Sequence, residues 1–182
     1  AAAVYTQNVD GVRAKKAYFF DENSVYLLGA AIDSDSPYPV ATTVNVARKN
    51  GNVIKGADWG WHDGIGYKGA RLQIAEGVRN GDWGIVSGGL AKPAPFSAEL
   101  FSVGVEHGIG VKGGSYAVAV LPGASPEETA RFELRILANT PSLQAVQFAD
   151  GTAGAVFHEA GKLGSFETKE PGVFLIPAEN LK

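Results

Sequence analysis

Between residues 59 and 67, aromatic and polar side chains alternate with glycines in the order WGWHDGIGY. Trp59, Trp61 and Tyr67 offer flat apolar faces with a polar edge, which suits the stacking of a pyranose ring. His62 and Asp63 carry groups that hydrogen-bond sugar hydroxyls. The segment therefore predicts a sugar-binding platform formed by these five residues. The alternative, which composition favours, is a structural role in which the tryptophans belong to a core strand and the His-Asp step closes a turn.

The other two histidines, His107 and His158, each lie next to a glutamate, Glu106 and Glu159. Because neighbouring residues of a strand point to opposite faces of a sheet, such adjacent pairs are not acid–base dyads in themselves. We interpret His107 and His158 as structural. For His62 a functional role stays open, since its setting is rich in glycine and aromatic residues.

The run DSDS places Asp33 and Asp35 two residues apart, a spacing found in calcium-binding loops. It lacks the glycine and the distal glutamate of an EF-hand loop, so a solvated turn is favoured over a structural Ca²⁺ site. Cysteine is absent, which excludes disulfides and thiolate metal sites. Residues 108–114 are glycine-rich, but the Lys-Ser/Thr step and the following helix of a phosphate-binding loop are missing. No other cofactor is indicated.

The composition predicts one substantial packed domain. Of the 182 residues, 45% are hydrophobic and only 19% are charged, which is the balance of a globular chain and not of a disordered one. The net charge of -3 and the scattered lysines and arginines argue against a nucleic-acid partner. No apolar run reaches the roughly 20 residues that a membrane helix needs. Methionine is absent, so we expect that Ala1 is not the natural start of the protein.

The elements that must position these residues are strands, because the hydrophobic period along the chain is two. Turn-forming runs such as DEN, KNGN and NGD separate the apolar segments, as in an antiparallel meander. Only residues 125–130, SPEETA, carry a helix signal, with a Ser cap, proline and two acids in the first turn. We therefore predict an all-β, antiparallel fold with little helix. The predicted strands are 17–20, 24–32, 39–46, 70–74, 99–106, 115–121 and 132–137.

The order of these segments resembles the central super-sandwich domain of the family 8 polysaccharide lyases, which include hyaluronate, chondroitin AC and xanthan lyases. The motifs that carry the resemblance are KKAYFFD at 15–21, VYLLGAAI at 25–32, TTVN at 42–45, WHDGIGY at 61–67, GDW at 81–83, residues 101–108 and YAVAVLPG at 116–123. It continues through ILANT at 136–140 and VFHEAG at 156–161, and so covers nearly the whole chain. It implies a galactose mutarotase-like super-sandwich over residues 1–170, with residues 171–182 beginning the C-terminal β-sandwich.

The resemblance also implies an activity. Family members are secreted bacterial enzymes that cleave uronic-acid-containing polysaccharides by β-elimination, using an Asn, a His and a Tyr with Arg support in an N-terminal α/α-toroid. No residue of this chain matches that catalytic set, so the chain by itself is expected to lack it. The implied partners are an acidic polysaccharide and the toroid and C-terminal sandwich of one parent protein.

A second hypothesis from another class stays open. In it the chain is a stand-alone carbohydrate-binding sandwich or a mutarotase-like sugar-acting enzyme. A mutarotase needs a His acid and a Glu base converging on a concave sheet, so His62 or His107 would have to meet a glutamate from a distant strand. Fold alone does not supply such a pair.

Overall fold

The computed structural model describes residues 1–86, 88 and 92–182. The described residues form sixteen strands, two short α-helices and one 3-10 helix. The strands are β1 Ala2–Val9, β2 Val12–Phe20, β3 Val25–Ser34, β4 Val40–Arg48, β5 Val53–Lys55, β6 Trp59–His62, β7 Ile65–Gly69, β8 Gln73–Asp82, β9 Pro95–Gly108, β10 Gly114–Pro122, β11 Ile136–Asn139, β12 Leu143–Gln147, β13 Ala153–Phe157, β14 Gly161–Leu163, β15 Phe166–Thr168 and β16 Gly172–Ile176. The helices are α1 Trp83–Val86, α2 Pro126–Arg131 and the 3-10 helix Ala178–Leu181. None of the described helices has the length and apolar character to cross a membrane.

A seven-stranded antiparallel sheet with the order β1-β2-β3-β10-β7-β6-β5 forms the centre of the molecule. Its first hairpin turns at Asp10 and Gly11, whose φ angles of 52° and 74° match the two left-handed positions of a type I′ turn. That turn fixes Val9 opposite Val12, and so sets the register of β1 on β2. Both faces of this sheet bury apolar side chains, which is why several of its strands read as continuous apolar runs.

A three-stranded sheet, β4-β9-β8, packs on one face of the seven-stranded sheet. Alternate residues of β9, Phe101, Val103 and Val105, point inward and are buried. They meet Tyr67 and Val118 of the larger sheet. β9 is longer than β4, so residues 95–98 pair only with β8 and form a two-stranded arm.

The opposite face of the seven-stranded sheet is covered by a four-stranded sheet, β11-β12-β13-β16. Phe19 and Leu28 pack there against Val146 and Val156. The hairpin β14–β15 connects β13 to β16 in sequence and packs through Phe166 on the outer core of the four-stranded sheet. The molecule therefore has three layers, with the seven-stranded sheet in the middle.

A β-bulge at Ala31 decides which face each half of β3 uses. The pairing register shifts there against both neighbouring strands, and Ala31 has a φ of 50°, in the left-handed region. Leu28 consequently faces the four-stranded sheet, whereas Ile32 faces the three-stranded sheet. Without the extra residue the strict alternation of the strand would send both to the same face.

The predicted helix at 125–130 is confirmed as α2, with a complete capping box between Ser125 and Glu128. Two predicted strands begin three and four residues later than expected. The strand predicted from residue 70 begins at Gln73, because Arg71 adopts a φ of 60° in a turn. The strand predicted from residue 132 begins at Ile136, after α2 ends.

Candidate functional site

The glycine-rich aromatic segment forms the β6–β7 hairpin. Its turn residues Asp63 and Gly64 have φ angles of 50° and 77°, again a type I′ turn. Tyr67 lies directly opposite Gly60, and His62 opposite Ile65, so His62 and Tyr67 share one face of the sheet. Trp59 and Trp61, at the intervening positions, lie on the other face.

His62 is packed inside the sandwich and is only 2% exposed. Its ring stacks on Phe101, with the centroids 4.3 Å apart and the planes at 20°. Its Nε2 accepts a hydrogen bond of 2.9 Å from the backbone N–H of Asn50, which places the proton of the neutral ring on Nδ1. The Asn50 side chain also donates to Asp63 Oδ1 at 3.0 Å. Asn50 is thus hydrogen-bonded to both His62 and Asp63.

Tyr67 lies beside His62 in the same core and is 1% exposed. Its ring is 5.7 Å from Phe101, and its hydroxyl oxygen accepts a hydrogen bond from the Asn45 amide. Burial raises the pKa of the Tyr67 phenol, and the hydrogen bond from Asn45 lowers it in part. The phenol is therefore neutral and enclosed between the two sheets.

The two tryptophans lie on the opposite face of the hairpin, beneath α2. Trp61 donates its indole N–H to the Ala124 carbonyl oxygen at 2.7 Å, just before the helix. Gly66 makes this close packing possible, because a Cβ at that position would lie 2.1 Å from Thr129 Oγ1. Trp59 and Trp61 are each half-buried. Two residues apart on one strand, their Cα atoms are about 7 Å apart.

The structure brings together His62 and Tyr67, and separately Trp59 and Trp61, but the sheet lies between these two pairs. Asp63 lies at the exposed hairpin end. The hydrogen bonds of Asn50 match the turn-closing role that was the alternative for the His-Asp step. A sugar platform on this hairpin stays a prediction, and its accessible part is the pair of half-buried tryptophans.

The other two histidines are each hydrogen-bonded to a neighbouring polar side chain. His107 Nε2 is 2.9 Å from Thr42 Oγ1. His158 Nε2 is 3.0 Å from the Oε1 of buried Gln144, whose amide nitrogen donates to Asn139 Oδ1. Because the Gln144 nitrogen is the donor to Asn139, its oxygen accepts from His158. Burial lowers the pKa of both histidines.

Asp33 and Asp35, the weak calcium candidates, have protein partners. Asp33 Oδ1 accepts the backbone N–H of Gly113 at 2.9 Å. Asp35 pairs with Lys112 at 2.6 Å and with Arg13 at 3.4 Å, and these two cations hold the pKa of its carboxyl below the usual value. Across the described residues no group of three or more His, Cys, Asp or Glu side chains has metal-binding geometry. A Ca²⁺ ion at these aspartates stays a prediction.

Two open cavities lie where α2 and the segment after it meet the seven-stranded sheet. The larger, 810 Å³, is lined by the acidic residues Asp21, Glu22, Glu128 and Asp150 among others. The second, 700 Å³, is lined by Lys68, Arg71 and Arg135 among others. Sequence reasoning missed both, because each combines residues from distant segments and no local motif marks them.

The architecture defines the chain as an antiparallel β-sandwich of three layers, with the seven-stranded sheet between the three-stranded and the four-stranded sheets. The family model described as "Polysaccharide lyase family 8, super-sandwich domain" matches residues 1–133. The model described as "Polysaccharide lyase family 8, C-terminal beta-sandwich domain" matches residues 135–180. The chain belongs to polysaccharide lyase family 8, and both the resemblance and the all-β super-sandwich fold predicted from the sequence are confirmed.

Individual relatives agree with this membership. The chain is 33% identical to a chondroitinase-AC of Pedobacter heparinus, over 100% of this chain and 30% of the relative. It is 27% identical to a hyaluronate lyase of Thermasporomyces composti, over 91% of this chain and 25% of the relative. A solved chondroitinase AC lyase structure superposes with a TM-score of 0.89 at 32% identity, covering 100% of this chain and 31% of that one. The chain thus spans less than a third of the length of these relatives.

The two family models meet near residue 134, between α2 and β11. From the sequence we expected the change of domain at residue 170. That position falls between β13 and β16, which are hydrogen-bonded neighbours in the four-stranded sheet. Among the described residues, strand pairs lie wholly before or wholly after residue 134. The boundary expected at residue 170 stays a prediction.

Proposed function

We propose that this chain is the β-sandwich part of a lyase that cleaves uronic-acid-containing polysaccharides of the hyaluronan, chondroitin or xanthan type by β-elimination. Two observations carry the proposal. Two family 8 domain models match consecutive parts of this chain, and the whole of this chain aligns with 30% of a chondroitinase-AC. In this proposal the chain supports the catalytic toroid and completes one wall of the substrate cleft.

β-Elimination needs a group that neutralises the uronate carboxylate, a base for the C5 proton and an acid for the leaving oxygen. The histidines of this chain are poorly suited to the role of base. His62 is buried and accepts a backbone hydrogen bond, while His107 and His158 are hydrogen-bonded to Thr42 and Gln144. This supports placing the chemistry outside the chain, in a toroid such as the resemblance implies.

The test is the ultraviolet absorbance of the unsaturated uronide, which elimination produces and hydrolysis does not. The purified chain and the product of the complete reading frame that encodes it are each incubated with hyaluronan, chondroitin and xanthan. We expect absorbance to rise with the complete product only. A rise with the chain alone would place the catalytic residues within it and refute the proposal.

Two further outcomes address the alternative. If neither protein yields unsaturated uronide but the chain binds a neutral oligosaccharide, the carbohydrate-binding hypothesis replaces the lyase. If the chain instead interconverts the anomers of a free sugar, it is mutarotase-like. Substitution of Trp59 and Trp61 by alanine then tests the hairpin platform, because loss of ring stacking weakens sugar binding.

We also propose that the parent protein is secreted by a bacterium, because the large polysaccharides of the proposed function lie outside the cell. Immunodetection of the protein in culture medium and in washed cells tests this. Recovery in the cell fraction alone would contradict it.

A further inference from the structure

A group of basic and phenolic side chains lies on the face of the seven-stranded sheet that the three-stranded sheet covers. We call it the basic cluster. Its members are Lys16, Arg71, His107, Tyr5, Tyr18 and Tyr116. They come from β1, β2, β9, β10 and the turn before β8, so that the sheet pairing alone assembles them.

The strand register places the centre of the cluster in one row. Tyr5 lies opposite Lys16, Lys16 opposite Gly29, and Gly29 opposite Tyr116, so all four residues present the same face. A Cβ at Gly29 would lie 2.1 Å from the Tyr116 ring, which shows that the ring crosses the glycine. Only glycine leaves room for Tyr116 to lie across β3 toward Lys16.

His107 closes the cluster from the facing sheet. It follows Val105 on the inward-pointing side of β9, and its ring centroid is 6.1 Å from that of Tyr116. Thr42 of β4 holds its Nε2. Arg71 donates to the backbone carbonyl oxygen of Ser115, immediately before Tyr116.

Lys16 and Arg71 give this cluster its positive charge. In the part of the chain that the structure describes, no ion pair involves Lys16, Arg71 or His107. Burial lowers the pKa of Lys16, and burial together with the charges of Arg71 and Lys16 lowers the pKa of His107. Burial also raises the pKa of Tyr18 and Tyr116, so the phenols are neutral hydrogen-bond donors.

Uncompensated cations that share a partly buried site repel one another, and an anion among them removes that repulsion. Phenol and ammonium groups are donors for an oxyanion, and charge-assisted hydrogen bonds of this kind are the strong ones. Tyr5 is 49% exposed, so the site is open on the side of β1.

We propose that the basic cluster is an oxyanion-binding site that takes one carboxylate or sulfate group, held by Lys16, His107 and the tyrosine hydroxyls. Two sources could supply this group. One is an acidic sugar, and the other is a carboxylate side chain of another segment of the same polypeptide.

The experiment measures thermal unfolding of the 182-residue chain in increasing sodium sulfate and, separately, sodium glucuronate, at constant ionic strength set with sodium chloride. We expect a saturable rise of Tm, because a ligand that binds only the folded state stabilises it by mass action. In a parallel NMR titration we expect a bound anion to raise the pKa of His107.

The variants are Lys16→Met and Lys15→Met. Methionine keeps the apolar stem and removes the charge. Lys15 is the matched control, because it lies next to Lys16 on the same strand but on the opposite face, where it donates to the Pro141 carbonyl oxygen. We expect Lys16→Met to abolish the saturable rise and the His107 shift, while Lys15→Met keeps both.

Sulfate also stabilises folded proteins generally, and that effect raises Tm equally in all three proteins. An equal response of wild type, Lys16→Met and Lys15→Met therefore overturns the proposal. Repeating the titration on the product of the complete reading frame distinguishes the two sources. Retained binding there indicates the acidic sugar, whereas binding by the shorter chain alone indicates an internal carboxylate. Either result is independent of lyase activity.

Discussion

The packing between the seven-stranded and three-stranded sheets predicts a large effect for Phe101→Ala. Phe101 is fully buried, and its ring contacts His62 at 4.3 Å and Tyr67 at 5.7 Å between centroids. Truncation of a buried Phe to Ala costs about 3–5 kcal/mol, from lost transfer energy and from the cavity left behind. Since the free energy of unfolding of a whole domain is only about 5–15 kcal/mol, this single change removes a large share of the stability.

Equilibrium urea unfolding followed by tryptophan fluorescence measures this loss. With a slope of about 2 kcal/mol per molar urea, a loss of about 4 kcal/mol lowers the midpoint by about 2 M. Phe96→Ala is the matched control. It is the same substitution on the same strand, but Phe96 lies on the two-stranded arm, is 37% exposed and stacks on the exposed Trp83.

We expect Phe96→Ala to cost about 1 kcal/mol, the scale of one aromatic pair. Equal costs for the two variants, at an unchanged slope, would refute the inference that Phe101 holds the two sheets together. A changed slope would instead mean that unfolding is not a single transition, and the midpoints would not then be compared.

Three further predictions concern the bulge, the buried amide and an exposed ion pair. Ala31→Gly removes a Cβ that is crowded at φ 50°, and we expect it to raise the free energy of unfolding in urea by about 0.5–1 kcal/mol. A lower free energy of unfolding would contradict the left-handed bulge. Gln144→Leu leaves His158 without its acceptor, and we expect it to cost about 1–3 kcal/mol in the same assay, whereas a neutral result would exclude the buried hydrogen bond. Lys112 keeps the pKa of Asp35 below 3.8 in the folded state, so the stabilisation is present above that pH and is lost as the pH falls. The Tm difference between wild type and Asp35→Asn should therefore shrink on acidification, and a difference that grows would contradict this sign.

Local chemistry was sufficient to predict part of the fold. The hydrophobic period of two predicted the β-strands. The SPEE run predicted α2, because a capping box depends only on residues within one turn. The Ala31 bulge was not predictable. Nothing in the run LGAAI marks an extra residue, and its effect arises from pairing with β2 and β10 on either side.

The site was less predictable than the fold, for the same physical reason. The WGWHDGIGY segment is visible in the sequence because its residues are adjacent, yet the strand divides them between two faces. In the basic cluster, by contrast, residues that are distant in sequence lie together in space. Tyr5, Lys16, Gly29 and Tyr116 are far apart in sequence, and only the register of four strands places them in one row.

Strand β2 shows why a run such as KKAYFFD carries so much of the family resemblance. Lys15, Ala17 and Phe19 face the four-stranded sheet, where Ala17 and Phe19 are fully buried. Lys16 and Tyr18 point the opposite way, into the basic cluster. Because both faces have specific neighbours, shifting the register of β2 by one residue would bury Lys16 against Val146 and turn Phe19 into the basic cluster. The strand is therefore constrained at every position, whereas a strand with one solvated face is constrained only at every second position.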